Sequence, residues 1–361
     1  MMKKRLAALT LALVMSLGIS AFCTAEETEQ TEAAETITLT DNVGREVELP
    51  YPVETAVSAL RYNNELIRAC GAIDKVIAVD LNTAQDREYW GMYDPENVIG
   101  KSQRELDYEK IVELDPQVVI LPANGAYEEA IETLEPFGIP VFVISGYDTA
   151  DFENQVSNIG KMFGTEEEAQ EFFQYFNEKL EYINTQLEGV EKRSVYMEAT
   201  TPYSTILPGD PMYDMVEYAY ADNIFSIDYE NINASEVDPE EVITRNPDVI
   251  IKLVTPAEAL SGTGLYEPPT LEEFRTAYED IVTRAGWDGI TAVQNDDIYF
   301  MTQFSHGGAG KLVGTCYIAK MLYPDLLPDL DPEEVFRAWM EDFQGFKNVD
   351  GHFYSGTELH G

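Results

Sequence analysis

Histidine and cysteine are both scarce: the 361 residues hold three of each. His352 and His360 fall in a polar stretch at the C-terminal end, which leaves His306 as the histidine of the body of the chain. A bare zinc or manganese ion held by several histidines is therefore disfavoured, and no HExxH helix exists. Cys70 and Cys316 each lie in an apolar helical stretch without a CxxC partner, a context that predicts two buried thiols rather than a disulfide or metal site. Positive charge is also in short supply, with 23 Lys and Arg against 66 Asp and Glu and a formal net charge of −43. Phosphate contact needs clustered Lys and Arg, so no nucleic-acid partner is expected, and the acidity reads as a solvated surface. No GxSxG elbow is present. HGGAGKL at 306–312 fails as a phosphate loop, because the first glycine of that motif would fall on Ser305 and Leu312 replaces Ser/Thr. It reads as a glycine-rich entry to a helix, with His306 either meeting ligand or lying on the surface. SGTGL, from Ser261, reads as a loop and a candidate lid.

Long apolar runs are absent beyond the first 25 residues. There, Lys3, Lys4 and Arg5 precede an apolar run from Leu6 to Phe22, the layout of a secretory signal over residues 1–25, so the protein is expected outside the cytoplasm. Cys23 ends that run as in bacterial lipoprotein signals, where it would be lipidated, but Phe22 is bulkier than the small residue usual before such a cysteine. Cleavage after Ala25 is the other reading, and a lipid anchor on Cys23 would be the protein's one membrane attachment. Residues 26–36 are too polar and acidic to pack and read as a disordered tether.

What the chain has in abundance is a repeated pattern. EKIVELDPQVVI at 109–120 and EEVITRNPDVII at 240–251 each read as an acidic helix start, an apolar helical turn, an x-Pro break and a buried strand. Pro116 and Pro247 close the helices, and the unalternated β-branched runs after them suit strands covered on both faces. Residues 37–49 read as a hairpin around Asp41–Gly44. Strand and helix then alternate from Ala56 to strand 139–144, and again from strand 194–198 through helices 211–220 and 239–245, strand 248–253, helix 271–285, strand 298–302 and helices 309–322 and 332–343. Between the halves, apolar residues from Ala169 to Leu187 recur every three or four positions and predict one long helix over 166–188. The fold expected is α/β: two similar lobes with parallel or mixed sheets flanked by helices, joined by one long backbone helix. The boundaries read as an N-terminal lobe at 37–150, a linking-helix region at 151–190, a C-terminal lobe at 191–346 and a tail at 347–361.

In order and spacing, TLTDNVGREVELP, ELIRACGAIDKVIAVD, YEKIVELDPQVVIL, NPDVIIK and GWDGITAVQNDDIYF resemble the substrate-binding proteins of ABC importers. More narrowly, the chain resembles the class III, helical-backbone group that captures ferric siderophores, haem or cobalamin. The resemblance implies a monomeric, non-enzymatic receptor without a cofactor, which holds a metal chelate between its lobes and delivers it to a permease. It also implies that loops at the C-terminal ends of strands line the cleft. Here those loops carry Arg61, Tyr62, Gln103, Arg104, Asn124, Tyr127, Tyr147, Tyr203, Ser204, Thr205, Gln303 and His306. Tyrosine supplies flat apolar area with a polar tip, and arginine pairs with carboxylate, phosphate or catecholate oxygens. The family docks its permease through one acid on the rim of each lobe. Matching around YEEAIETLEPFG gives Glu128, and matching around MYDMVEYAYADNIF gives Asp214, where glutamate is usual. Two other classes fit the export signal: a secreted metalloenzyme on a related scaffold, and a surface sensory or adhesive module without an importer.

Overall fold

A computed structural model describes residues 35–208, 210, 212–226, 236–256, 267–302, 308–347 and 350–360. Cys23, the signal segment and nearly all of the tether lie outside the described residues, as do Gln303, His306 and the SGTGL segment. The tether's last residue does not: Thr36 begins β1 (Thr36–Thr40), which pairs antiparallel with β2 (Glu46–Pro50). Asp41 fixes this hairpin's turn. Its Oδ1 accepts from the Val43 and Arg45 amides, and its Oδ2 accepts from Arg45 Nη2 at 2.6 Å.

The N-terminal lobe is a parallel sheet in the order β4-β3-β7-β8. It runs β3 (Ala56–Ser58), α1 (Arg61–Ala69), β4 (Val76–Val79) and two short helices, α2 (Leu81–Ala84) and α3 (Arg87–Trp90). A small hairpin of β5 (Gly100–Ser102) and β6 (Glu105–Leu106) follows, then α4 (Tyr108–Leu114), β7 (Val118–Leu121), α5 (Tyr127–Leu134) and β8 (Val141–Val143). All four residues of β7 and all three of β8 are buried, as the unalternated pattern requires.

The linking region holds two helices where the sequence showed one. Before α7 (Glu166–Leu187) comes α6 (Phe152–Phe163), which turns at Gly164 (φ 70°) and packs on α7. Phe152 and Phe176 meet Phe172 edge-on at 5.6 and 5.4 Å, and Phe343 packs on Phe172 at 5.1 Å, so α7 is clamped by aromatic rings from both sides of the chain.

The C-terminal lobe orders its sheet β10-β9-β11-β12-β13. Its elements are β9 (Ser194–Glu198), α8 (Tyr213–Tyr218), β10 (Asp222–Asn223), α9 (Pro239–Arg245), β11 (Val249–Val254), α10 (Leu271–Val282), α11 (Thr291–Asn295), β12 (Ile298–Thr302), α12 (Gly310–Leu322) and α13 (Pro332–Ala338). Trp339–Phe343 extend α13 with π-type bonding, and β13 (Phe353–Ser355) and α14 (Gly356–His360) close the chain. The expected tail is thus corrected. Its strand β13 pairs antiparallel with β12, and His352 is 1% exposed with Nδ1 2.7 Å from Thr302 Oγ1. A polar sequence concealed it because the contacts that bury it come from residues some fifty positions away.

The twin repeat is real in three dimensions. α4 is capped by Asp107 and α9 by Asp238, and each ends at a left-handed residue, Asp115 (φ 47°) or Asn246 (φ 46°), directly before its proline. Proline's restriction on its predecessor is met here by the left-handed region rather than by extended backbone. Cys70 and Cys316 are free, buried thiols, and burial pushes the Cys316 pKa up to about 12.

Candidate ligand cleft

Arg61 and Tyr62 open α1 at the C-terminal end of β3. Arg61 is 9% exposed, its Nε lies 3.2 Å from Glu65 Oε1 one turn on, and its guanidinium stands 5.0 Å from the Tyr62 ring. Tyr62 is half-buried, and burial raises its hydroxyl pKa, with Arg61 opposing and Glu65 and Asp210 adding to the rise. Asp210 belongs to the other lobe, so Tyr62 stands where the lobes meet. Asn63 ties this lip to the loop after β8: its Oδ1 accepts from the Gly146 amide at 2.8 Å, beside the half-buried Tyr147. Ser145 Oγ in turn accepts from the Ala123 amide in the loop after β7.

A second group forms on the same lobe. The Ala126 amide donates to Gln103 O at 2.8 Å, and exposed Arg104 donates from Nε to Asn124 O at 2.9 Å, so the β5–β6 turn and the β7–α5 loop are one surface. Tyr127 begins α5 and donates to Glu128 Oε1 at 3.4 Å, and Glu128 is exposed.

The C-terminal lobe answers differently. Thr205 is 4% exposed and donates its hydroxyl to Met197 O, while Ser204 and Thr205 bridge to Glu236 and Glu198. The Tyr203 ring packs edge-on to Trp287 at 6.0 Å, with the Arg284 guanidinium 4.5 Å away. Thr205 and the Tyr203 ring are turned into their own lobe, and Tyr203 borders a charge cluster that sequence reasoning missed. Glu198, 0% exposed, accepts from Lys252 Nζ and Arg284 Nη1 at 2.7 Å each, from Tyr196 Oη at 3.0 Å and from the Tyr203 amide at 2.9 Å. Burial pushes the Glu198 carboxyl up, but the hydrogen bonds and charges of Arg284 and Lys252 outweigh it and hold the pKa below the usual glutamate value.

Asp214, the C-lobe docking candidate, is itself ion-paired. Its Oδ2 lies 3.3 Å from Lys311 Nζ, and Lys311, on α12, is 1% exposed. Burial lowers the Lys311 pKa against the pull of Asp214, Asp148 and Asp210. Asp214→Asn is expected to cost about 1–2 kcal/mol by urea denaturation, since it strands a buried cation whose partner is solvent-screened. One turn along α8, Glu217 is exposed.

The lobes touch at glycines: a Cβ on Gly308 (φ 58°) would lie 2.9 Å from Gly146 O and 3.7 Å from Tyr62 Cβ. Tyr89 Oη donates to Glu267 Oε1 at 3.2 Å, and Gln344 Nε2 donates to Glu65 O at 3.0 Å, two further contacts across the two halves. The chemistry gathered at this junction is tyrosine, carboxylate and internally paired cation. Among the described residues no group of three His, Cys, Asp or Glu side chains could hold a metal ion. Among the cavities are one of about 490 Å³ lined by Leu81, Ala84, Tyr93 and Val98, and one of about 230 Å³ in the crease of α6 and α7.

A profile of periplasmic binding proteins matches residues 59–303, which span most of both lobes and the junction between them. The chain belongs to the periplasmic binding protein family. Within the family, it is 26% identical over 218 residues to the vitamin B12-binding protein of Vibrio parahaemolyticus, covering 60% of this chain and 75% of that protein. It is 23% identical over 339 residues to the ABC transporter substrate-binding lipoprotein YvrC of Bacillus subtilis, covering 90% and 99%. The TroA-like periplasmic binding protein FepB of Veillonella parvula superposes with a TM-score of 0.72 at 20% identity, over 88% of this chain and 99% of that one. The α/β two-lobe fold expected from the sequence is the fold of this periplasmic binding protein. Its relatives are named as binding proteins rather than enzymes, and one of them as an ABC transporter substrate-binding lipoprotein. Among the described residues no helix is long and apolar enough to cross a membrane.

Proposed function

We propose that this protein is an extracytoplasmic receptor that captures a corrinoid in the interlobe cleft and delivers it to an ABC importer permease. The observation that carries the reading is the junction itself, where Tyr62 on α1, with Arg61 beside it, faces Asp210 and Gly308 of the opposite lobe. Clefts between lobes at strand C-termini are where open α/β folds bind small ligands. Among the chelates the family suggests, charge favours the corrinoid. Arg61 is already paired with Glu65, Lys311 with Asp214, and Asp148 and Asp210 add negative charge at the same place. Residues 227–235, 257–266 and 303–307 contain no lysine or arginine. A ferric tricatecholate or the two propionates of haem would meet repulsion there, whereas a single phosphodiester suits the exposed guanidinium of Arg104. The names of the vitamin B12-binding relatives support the same choice. The remaining candidates, Tyr147, Gln103, Asn124 and Tyr127, are proposed as flanking contacts, and Gln303 and His306 stay candidates on sequence alone.

For docking, Glu128 remains the proposed N-lobe acid, and exposed Glu217 replaces Asp214 on the C-lobe because Asp214 is committed to Lys311. Tyr62→Ala is expected to weaken cyanocobalamin about ten-fold, or about 1.4 kcal/mol, by isothermal titration. Undiminished affinity would remove α1 from the site.

A further inference from the structure

Leu60 has φ 87° and ψ 119°, a conformation glycine adopts freely and a leucine side chain opposes. It stands between β3 and α1, directly before Arg61 and Tyr62, so its dihedral angles set the direction in which both side chains leave the sheet. A residue in such a conformation persists only where its surroundings over-determine it. The Leu60 amide donates to Asp80 Oδ1 at 3.2 Å, and the Leu60 carbonyl accepts from the Asn63 and Asn64 amides at 3.0 and 3.2 Å. Asp80 Oδ1 also accepts from Thr83 Oγ1 at 2.7 Å, and Thr83 Oγ1 accepts from Asn64 Nδ2 at 3.1 Å. The bonds close a ring from Asp80 through Thr83 and Asn64 back to Leu60.

Asp80 is an expensive residue at this place. It is 0% exposed at the end of β4, burial pushes its pKa up, and its Oδ2 has no hydrogen-bond partner among the described residues. No cation pairs with it among the described residues, so its identifiable work is to accept from Leu60 and Thr83.

We propose that Asp80 is a positioning residue for ligand capture: its Oδ1 holds Leu60 in the positive-φ conformation and so aims Arg61 and Tyr62 across the cleft. The inference rests on the reading of α1 as the ligand-facing lip. Cyanocobalamin affinity and amide hydrogen exchange of the full chain test it together. Asp80→Ala should bind about ten-fold more weakly, whereas Asp80→Asn, which keeps the oxygen acceptor, should stay within about three-fold. Amides 60–64 should exchange about ten-fold faster in Asp80→Ala while those of β7 stay unchanged. Glycine needs no clamp, so in a Leu60→Gly background Asp80→Ala should cost less than about three-fold in affinity, a rescue that a merely structural role would not give. That pair also decides the matter if Asp80→Ala alone does not fold. Wild-type affinity and exchange in Asp80→Ala, or an undiminished loss in the Leu60→Gly background, would overturn the proposal. If the wild-type protein ignores cyanocobalamin, the corrinoid reading fails and the exchange rates alone decide the clamp.

Discussion

Glu198→Ala is expected to destabilise the protein by about 3–5 kcal/mol, because it leaves two buried cations without their counter-charge. Lys252 is 5% exposed and Arg284 8%, and both direct nitrogens at the one carboxylate. Each has other support. Lys252 donates to Ala199 O and Thr200 O, and Arg284 reaches Asp280 and lies over Tyr203 and Trp287. That support orients the cations without neutralising them, apart from half-exposed Asp280. Urea denaturation measures the loss, and a cost below about 1 kcal/mol would show that the cluster is screened. The pH dependence has a defined sign. Glu198 is held below its ordinary value of 4.5 in the folded protein, so its contribution is complete above that value and disappears as pH falls through the lower folded value. Glu198→Gln should remove this acid-side loss. Glu198 also holds the Tyr203 amide and with it the loop that follows β9.

Reversing charge at Glu128 and Glu217 together is expected to abolish uptake while leaving ligand affinity within about two-fold. Both carboxylates are exposed, Glu128 in the first turn of α5 and Glu217 near the C-terminal end of α8. Rim charges register an encounter and set its rate more than they add contact energy, so a double reversal turns attraction into repulsion at both ends of a docking surface. The measurement is accumulation of labelled cobalamin in cells supplied with this protein as the sole binding protein. Asp214→Arg serves as the contrast: it should lower stability through Lys311, so a transport defect there would track protein abundance. Unchanged uptake in the Glu128/Glu217 double variant would sink the docking assignment.

The strands and helices that repeat were legible because their signals are local. β9, α9 and β12 have the bounds their apolar runs and caps predict, and Asp107 and Asp238 mark helix starts that any reading of capping would find. α6 was missed although Phe152, Val156, Ile159 and Phe163 keep helical spacing, because Asn154, Gln155, Ser157, Asn158 and Gly160 give the segment the polar composition of a loop. The Glu198 cluster escaped for a different reason. Its partners lie 54 and 86 positions away, and a lysine at the end of a run such as VIIK looks like a strand boundary rather than a buried charge. Leu60 gave no warning either, since positive φ is ordinarily announced by glycine or asparagine. At the site, the sequence brought forward α1 and the Gln103–Arg104–Asn124 surface correctly as neighbours of strand ends. It could not foresee that Thr205 and Tyr203 turn inward or that Asp214 is spoken for, because both follow from contacts between distant elements.

The central claim is that the cleft accepts a corrinoid and rejects polyanionic chelates, and calorimetric titration of the purified protein with cyanocobalamin and with a ferric tricatecholate, in the same buffer, tests it most directly. Saturable one-to-one binding of cyanocobalamin with no heat from the tricatecholate is the predicted result; tricatecholate binding with cyanocobalamin silent would contradict it.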